Sequence, residues 1–188
     1  LKQNYGQLPT RSPAHPTTVH HVPHYLERSV VSRGEKVLLL VLDGLGLSQW
    51  IALKSWLGLE TIEEHLLLAG IPTVTSVSRQ SIFSGLVPAR FANYLDTTRR
   101  ESVEWRAFWQ EQANLEPPRT QYLKTPGADA SDWVDPHPQS VATGIAAVAV
   151  DEIMHGASAN GDAQFYSGLQ VWSQSGFLLA ALAWCQRT

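Results

Sequence analysis

Four places in the chain carry side chains suited to a cation or a phosphate: Asp43, the hydroxyl-rich stretch 73–78, Asp151 and His155. Short apolar runs precede or lead into three of them, at residues 37–42, 71–75 and 145–150. Runs of this length with no polar face read as strands buried on both sides. In a parallel α/β sheet the ligand lies beyond the carboxyl ends of the strands, so these groups are expected to converge on one edge. Two carboxylates and a hydroxyl cluster meeting there would suit hard or borderline cations and phosphate chemistry. The competing reading is that Asp43 and Asp151 simply cap the helices that follow them. His155 stands four residues after Asp151, which on a helical turn puts both on one face, with Cβ atoms about 5–6 Å apart. That spacing serves one shared ion or an ordinary structural pair.

The elements that must position these groups alternate along the chain. A short helix is expected over residues 25–32, ended near Gly34. Ser48 can cap a helix through Trp50, Ile51, Leu53 and Leu57, and a second helix covers 62–69, closed by Gly70. Residues 78–84 read as a helical turn or two stopped at Gly85, and residues 102–112 repeat apolar and aromatic side chains at helical spacing. Phe165, Leu169 and Trp172 begin a pattern that continues to Trp184, one long core helix. Between 114 and 143 the chain is polar and rich in Pro and Gly, the pattern of a functional loop, with one strand at 121–123. Strands separated by helices imply an α/β domain, a mainly parallel sheet with helices on both faces. Residues 1–24, with Pro9, Pro13, Pro16 and Pro23, read as a Pro/His-rich linker, leaving 25–188 as the domain. The chain ends on a helix where such a fold would go on to another strand, which suggests a truncated domain.

Composition narrows the function classes. The 188 residues are 44% hydrophobic and 16% charged, enough for a packed core. A net charge of −3 provides no overall basic field for wrapping nucleic acid, and Arg99-Arg100 is only a small basic spot. The single cysteine, Cys185, rules out an internal disulfide and reads as inert, deep in an apolar helix. No apolar run approaches the roughly 20 residues of a membrane helix, and the N-terminus lacks a signal-peptide layout. A soluble, cytoplasmic protein is the expectation. His15, His20, His21 and His24 suit a connector better than a metal site, and Asp129, Asp132 and Asp135 a solvated loop. The tryptophans read as core, with Trp133 in the loop as the exception. Gly44 and Gly46 do not continue into a dinucleotide fingerprint, since the pattern fails at Gln49.

Taken together, the strings VLLLVLDGLGLSQW (37–50), IPTVTSVSRQSIFSGLVP (71–88) and VAVDEIMHG (148–156) resemble the PglZ domain, a member of the alkaline phosphatase superfamily. VHHVPHYL (19–26) and ESVEWRAFW (101–109) share the resemblance, which covers most of residues 19–185. More distantly, the chain is similar to the cofactor-independent phosphoglycerate mutases and nucleotide pyrophosphatases. The resemblance implies an alkaline-phosphatase-like fold and two divalent metals, zinc or manganese, around a Ser or Thr nucleophile. Asp43 matches the first-strand ligand, Asp151 and His155 match the Asp-x3-His pair of the other metal, and Thr75 matches the nucleophile, itself a metal ligand. Ser76 and Ser78 stand within three residues of Thr75, so the nucleophile is open among the three. Arg79, in the helix that follows, could hold a phosphate bidentately or be a surface arginine.

For the complete domain the resemblance implies covalent catalysis. A Thr75 alkoxide, activated by one metal, would form a phosphothreonine that the other metal helps to hydrolyse. The superfamily also carries a later Asp-His pair and a further histidine that nothing here matches, so this chain is expected to bind metal weakly or not at all and to turn over poorly. Family likeness further implies bacterial phage defence of the BREX type, alongside methyltransferase and ATPase partners, with a phosphoester or nucleic-acid substrate and no membrane. The alternative is a scaffold with a degenerate site, for which metal and Thr75 would be dispensable. A plain nucleotide-binding domain would need a glycine-rich phosphate loop that the sequence lacks.

Overall fold

A computed structural model describes residues 16–59, 63–157 and 162–187. The protein is a mixed α/β structure around a three-stranded parallel sheet of order β1-β3-β2, made by β1 (Val37–Leu42), β2 (Thr120–Thr125) and β3 (Ala142–Ala147). The register follows from the bonds at the strand ends. Val37 N–H donates to Val141 O at 2.8 Å and Asp43 N–H to Ala147 O at 2.9 Å, while Val141 N–H donates to Arg119 O and Val148 N–H to Pro126 O. Central β3, with the sequence ATGIAA, is buried at all six positions, and its small residues let large neighbours approach. A Cβ on Gly144 would lie 3.0 Å from the Phe83 ring and 3.1 Å from the Trp105 ring.

By its contacts the chain divides into two units. In the first, comprising 1–39, 64–123 and 137–144, the described residues form α1 (Val22–Ser29), α3 (Thr75–Ser84) and α4 (Glu101–Ala113). The core is aromatic: Phe83, Trp105, Trp109 and Phe108 meet edge to face in succession, with centroids 5.2–5.7 Å apart, geometry that suits the ring quadrupoles. Gly85 closes α3 at φ +68°, and a Cβ there would meet His24 Nε2 and the Phe108 ring, each at 2.8 Å. Glycine is required at this stop on both counts.

The second unit comprises 40–63, 124–136 and 145–188. Its described helices are α2 (Leu47–Trp56), α5 (Ala149–Ala157), α6 (Asp162–Ser173) and α7 (Phe177–Arg187). Leu53, Ala147, Val150, Phe165, Leu169, Trp172 and Phe177 form its core. Buried Trp172 donates its indole N–H to Gly127 O at 2.7 Å, so the polar atom is satisfied inside the apolar cluster. Trp133, the expected exception among the tryptophans, packs at the edge of this core with its ring 5.9 Å from Phe177 and bonds Asp135 through its indole.

Several expectations need correction. Residues 71–74 form neither strand nor helix: Pro72 has no N–H for a ladder, Ile71 and Val74 are exposed, and α3 begins at Thr75. The third strand lies at 142–147 rather than 145–150. Pro126 O takes the N–H groups of Val148 and Ala149, and Val148 O takes that of Glu152, so the chain turns into α5 and leaves the sheet. Among the described residues 63–69 there is no helix. Leu68 gives its N–H to Thr17 and its carbonyl to Val19, in an isolated parallel bridge that replaces helical bonding. The long C-terminal helix is two helices, broken at Gly176 (φ +99°), where Ser175 O accepts the Ala130 N–H. Cys185, expected deep in a helix, is exposed.

The first unit also starts before residue 25. His20 and His21 are buried in a 3-10 turn, with His20 Nδ1 2.8 Å from Thr18 Oγ1, and His24 Nε2 meets Gly85 O at 3.0 Å. These histidines hold core and cap positions and are not strung along a connector; His15 and the rest of 1–15 lie outside the described residues. Among the described residues no helix is long and apolar enough to cross a membrane.

Candidate functional site

Asp43 leaves β1 with its N–H bonded to β3, and the turn that follows is shaped by Gly44 at φ +80°. This turn lies directly on the start of α5: a Cβ at Gly44 would stand 2.8 Å from Asp151 Cα and 3.0 Å from Asp151 N. No other residue type fits, because both the positive φ and the backbone contact forbid a side chain. The glycine therefore lets the backbone just after Asp43 pack against the start of α5, a hundred residues on in sequence. Asp151 occupies the first turn of α5, where the positive end of the helix dipole favours a carboxylate. One turn on, His155 Nε2 stands 3.5 Å from Asp151 Oδ1. The imidazole is 74% exposed and the carboxylate 29%, so the pair is open to solvent and adds little to stability.

Carboxylate and imidazole donors suit zinc or manganese in kind. In number they fall short. A catalytic zinc takes three protein ligands, and among the described residues no group of three or more His, Cys, Asp or Glu could hold one ion. The residues present fit a metal centre in part only.

The hydroxyl stretch opens α3. Val74, the residue before the helix, is extended and bonds the helix end with no side chain, and Ser78 N–H donates to its carbonyl at 3.0 Å. Thr75 is exposed, whereas Ser76 and Ser78 are half-buried. Ser76 Oγ donates to Leu95 O, and Gln80, one turn further along the same face, donates through Nε2 to the carbonyls of Tyr94 and Thr97. Of the three hydroxyls open to assignment, Thr75 is the one at the surface.

Arg79 lies elsewhere than either expectation for it. It is 3% exposed, neither at the surface nor open to a phosphate, and its fork is taken by Glu101. Nε donates to Glu101 Oε1 at 2.8 Å and Nη2 to Oε2 at 2.6 Å, the bidentate geometry that guanidinium favours. Glu101 is fully buried and accepts a third bond from the Tyr122 hydroxyl. Sequence reading missed Glu101 and Tyr122. The one signal available was an arginine at helical spacing between Thr75 and Phe83, on a face that turns inward.

Burial, and then the hydrogen bond to the Glu101 carboxylate, push the Tyr122 phenol well above its ordinary 10.0. The unfolded chain therefore loses this proton near pH 10 while the folded protein keeps it, so stability is full below that pH and falls as pH rises beyond it. In urea titrations between pH 9 and 11.5, wild type should weaken with rising pH and Tyr122→Phe should show a shallower fall; equal slopes would contradict this. In the loop carrying Asp129, Asp132 and Asp135, Asp129 accepts from Ser131 and Asp132 from the Ala128 N–H, while Asp135 accepts from the Trp133 indole and pairs with Arg187 at 3.4 Å. The Ser131 hydroxyl, with its N–H, holds the Asp129 carboxyl below its usual range.

Residues 23–116, half of the chain, match the family model described as the BREX system PglZ alkaline phosphatase-like domain. Asp43, Thr75, Arg79 and Glu101 fall within the match; Tyr122, Asp151 and His155 lie beyond it. No curated protein matches the chain.

Proposed function

Because the chain belongs to the PglZ family of BREX alkaline phosphatase-like domains, we propose that it serves as part of a metal-dependent phosphoesterase in phage defence. Thr75 is the nucleophile, Asp43, Asp151, His155 and Thr75 are ligands, and zinc or manganese is the metal. The observation that carries this reading is the Gly44 turn seated on Asp151, where a glycine at positive φ lets the backbone just after Asp43 pack against the start of α5. An exposed threonine as the first residue of α3 supports the nucleophile assignment, since helix-start N–H groups without intrahelical partners favour an anion beside them. On this reading Thr75 supplies the hydroxyl that attacks phosphorus, and Asp43, Asp151 and His155 supply metal donors. When bound, a metal would supply Lewis-acid activation of such a hydroxyl.

The alternative, a scaffold whose fold serves assembly with other defence proteins, is favoured by the absence of a three-ligand group among the described residues. The two readings separate in one experiment. Hydrolysis of bis(p-nitrophenyl) phosphate by the natural protein is measured with zinc, with manganese and after chelation. The phosphoesterase reading expects metal-dependent turnover that falls about 10²-fold or more in Asp43→Ala and Asp151→Ala, with melting temperatures little changed. Metal-independent defence that both variants retain would establish the scaffold. Methyltransferase and ATPase partners, and the choice between a nucleic acid and another phosphodiester, belong to the same proposal.

A further inference from the structure

The geometry points to Glu101, backed by Tyr122, as a positioning residue for the start of α3: through Arg79 it fixes the rotation and height of the helix turn that presents Thr75. Thr75, Arg79 and Phe83 recur every four residues and so share one face of α3. Phe83 anchors the lower end of that face against Trp105 and Tyr122, with centroids 5.7 Å and 5.0 Å away. Arg79 anchors the middle through two bonds to Glu101. Thr75, one turn above, is exposed, and its direction is set by what lies below it.

Glu101 is itself held from two sides. It opens α4, one turn before Trp105, and its Oε2 receives both the Arg79 Nη2 and the Tyr122 hydroxyl. A carboxylate with three charge-assisted or hydroxyl donors and no solvent exposure has little freedom to tilt. Replacing such a cluster with apolar side chains is often neutral or stabilising, so its stability contribution alone does not account for it. A fixed orientation is what a planar guanidinium–carboxylate fork provides and an apolar contact does not. Ser76 and Gln80 tie the neighbouring face of α3 to the 94–97 loop, so the helix is restrained about its axis from two directions.

The inference rests on the phosphoesterase reading for its catalytic consequence, and amide exchange tests the anchor itself. In Glu101→Gln the carboxamide keeps the shape but loses the charge, weakening the grip on Arg79. Amides 78–81 of α3 should then exchange about tenfold faster or more, while amides 108–112 at the far end of α4 change by less than about twofold. Tyr122→Phe, which keeps the Arg79 fork, should give the same pattern at smaller amplitude and stands in should Glu101→Gln fail to fold. Unchanged exchange at 78–81, or an equal rise throughout the first unit, overturns the positioning role. With bis(p-nitrophenyl) phosphate and manganese, Glu101→Gln should lower kcat about tenfold and leave KM within about twofold, the signature of a misaimed group. A kcat held at the wild-type value alongside faster exchange at 78–81 also overturns it. A wild-type protein that shows no turnover with any metal defeats the phosphoesterase reading, and the exchange result then decides the anchor alone.

Discussion

Arg79→Ala is expected to destabilise the protein by about 3–5 kcal/mol, the loss that follows when one partner of a buried ion pair is removed. Glu101, at 0% exposure, would be left with a single donor from Tyr122 in a site that no water reaches. The carboxylate must then remain as an uncompensated charge or take up a proton, and either outcome raises the free energy of the folded state alone. The comparison variant is the double replacement Arg79→Met with Glu101→Leu, which removes both charges and fills the space. It should cost far less than Arg79→Ala, because no charge is stranded. Were Arg79 at the surface, its removal would matter by about 0.5 kcal/mol or less. Urea unfolding of the three proteins decides the matter. A single-mutant loss below about 1 kcal/mol would mean that the fork is not closed in solution. Against a typical total of about 5–15 kcal/mol, the expected loss is large enough to lower the amount of folded protein in cells.

The elements that could be read from the sequence are those whose signal is local. β1 announces itself as six apolar residues without a polar face, and it forms at 37–42. Helix α4 shows its aromatic spacing and forms at 101–113, one residue beyond the expected span at each end. Misreadings came where tertiary hydrogen bonds decide between similar apolar runs. Residues 71–75 and 145–150 both look like strands, but only Ala142–Ala147 has backbone partners on each side, from β1 and β2. Nothing within 71–75 reveals that none of the described strands pairs with it. The break at Gly176 also depends on a distant group, since the Ala130 N–H claims the Ser175 carbonyl.

The candidate site divides along the same line. Asp151 and His155 were legible as a pair because a helix makes neighbours of residues four apart, and the structure sets their side chains 3.5 Å apart. Asp43 and Asp151 were expected at strand ends: Asp43 directly follows β1, Asp151 lies in the first turn of α5 instead, and the contact of Gly44 with the Asp151 backbone is revealed only by the packing. The Arg79–Glu101–Tyr122 cluster joins groups more than twenty positions apart. Sequence shows such residues as three ordinary polar side chains, because a buried charge looks the same in sequence as an exposed one.

On the phosphoesterase reading proposed above, the largest functional effect is expected at Thr75. Thr75→Ala is expected to reduce turnover of bis(p-nitrophenyl) phosphate by about 10³-fold or more, as loss of a nucleophile does. The same change should leave stability within about 0.5 kcal/mol, because the side chain is exposed. Ser76→Ala should show the opposite balance. Its hydroxyl donates to Leu95 O, so its loss costs about 1 kcal/mol of stability while the reacting group stays in place. Thr75→Ser, which keeps an oxygen on the same Cβ, should retain activity, and with wild type it should yield a phosphorylated residue at position 75 when the reaction is quenched early. Phosphate found instead on Ser76 or Ser78 would move the nucleophile along the helix, and silent Thr75→Ala in both turnover and phage defence would remove catalysis from the account. The three hydroxyls differ in what the fold has already done with them: Ser76 is spent on a carbonyl, Ser78 is half covered, and Thr75 is exposed as the first residue of the helix.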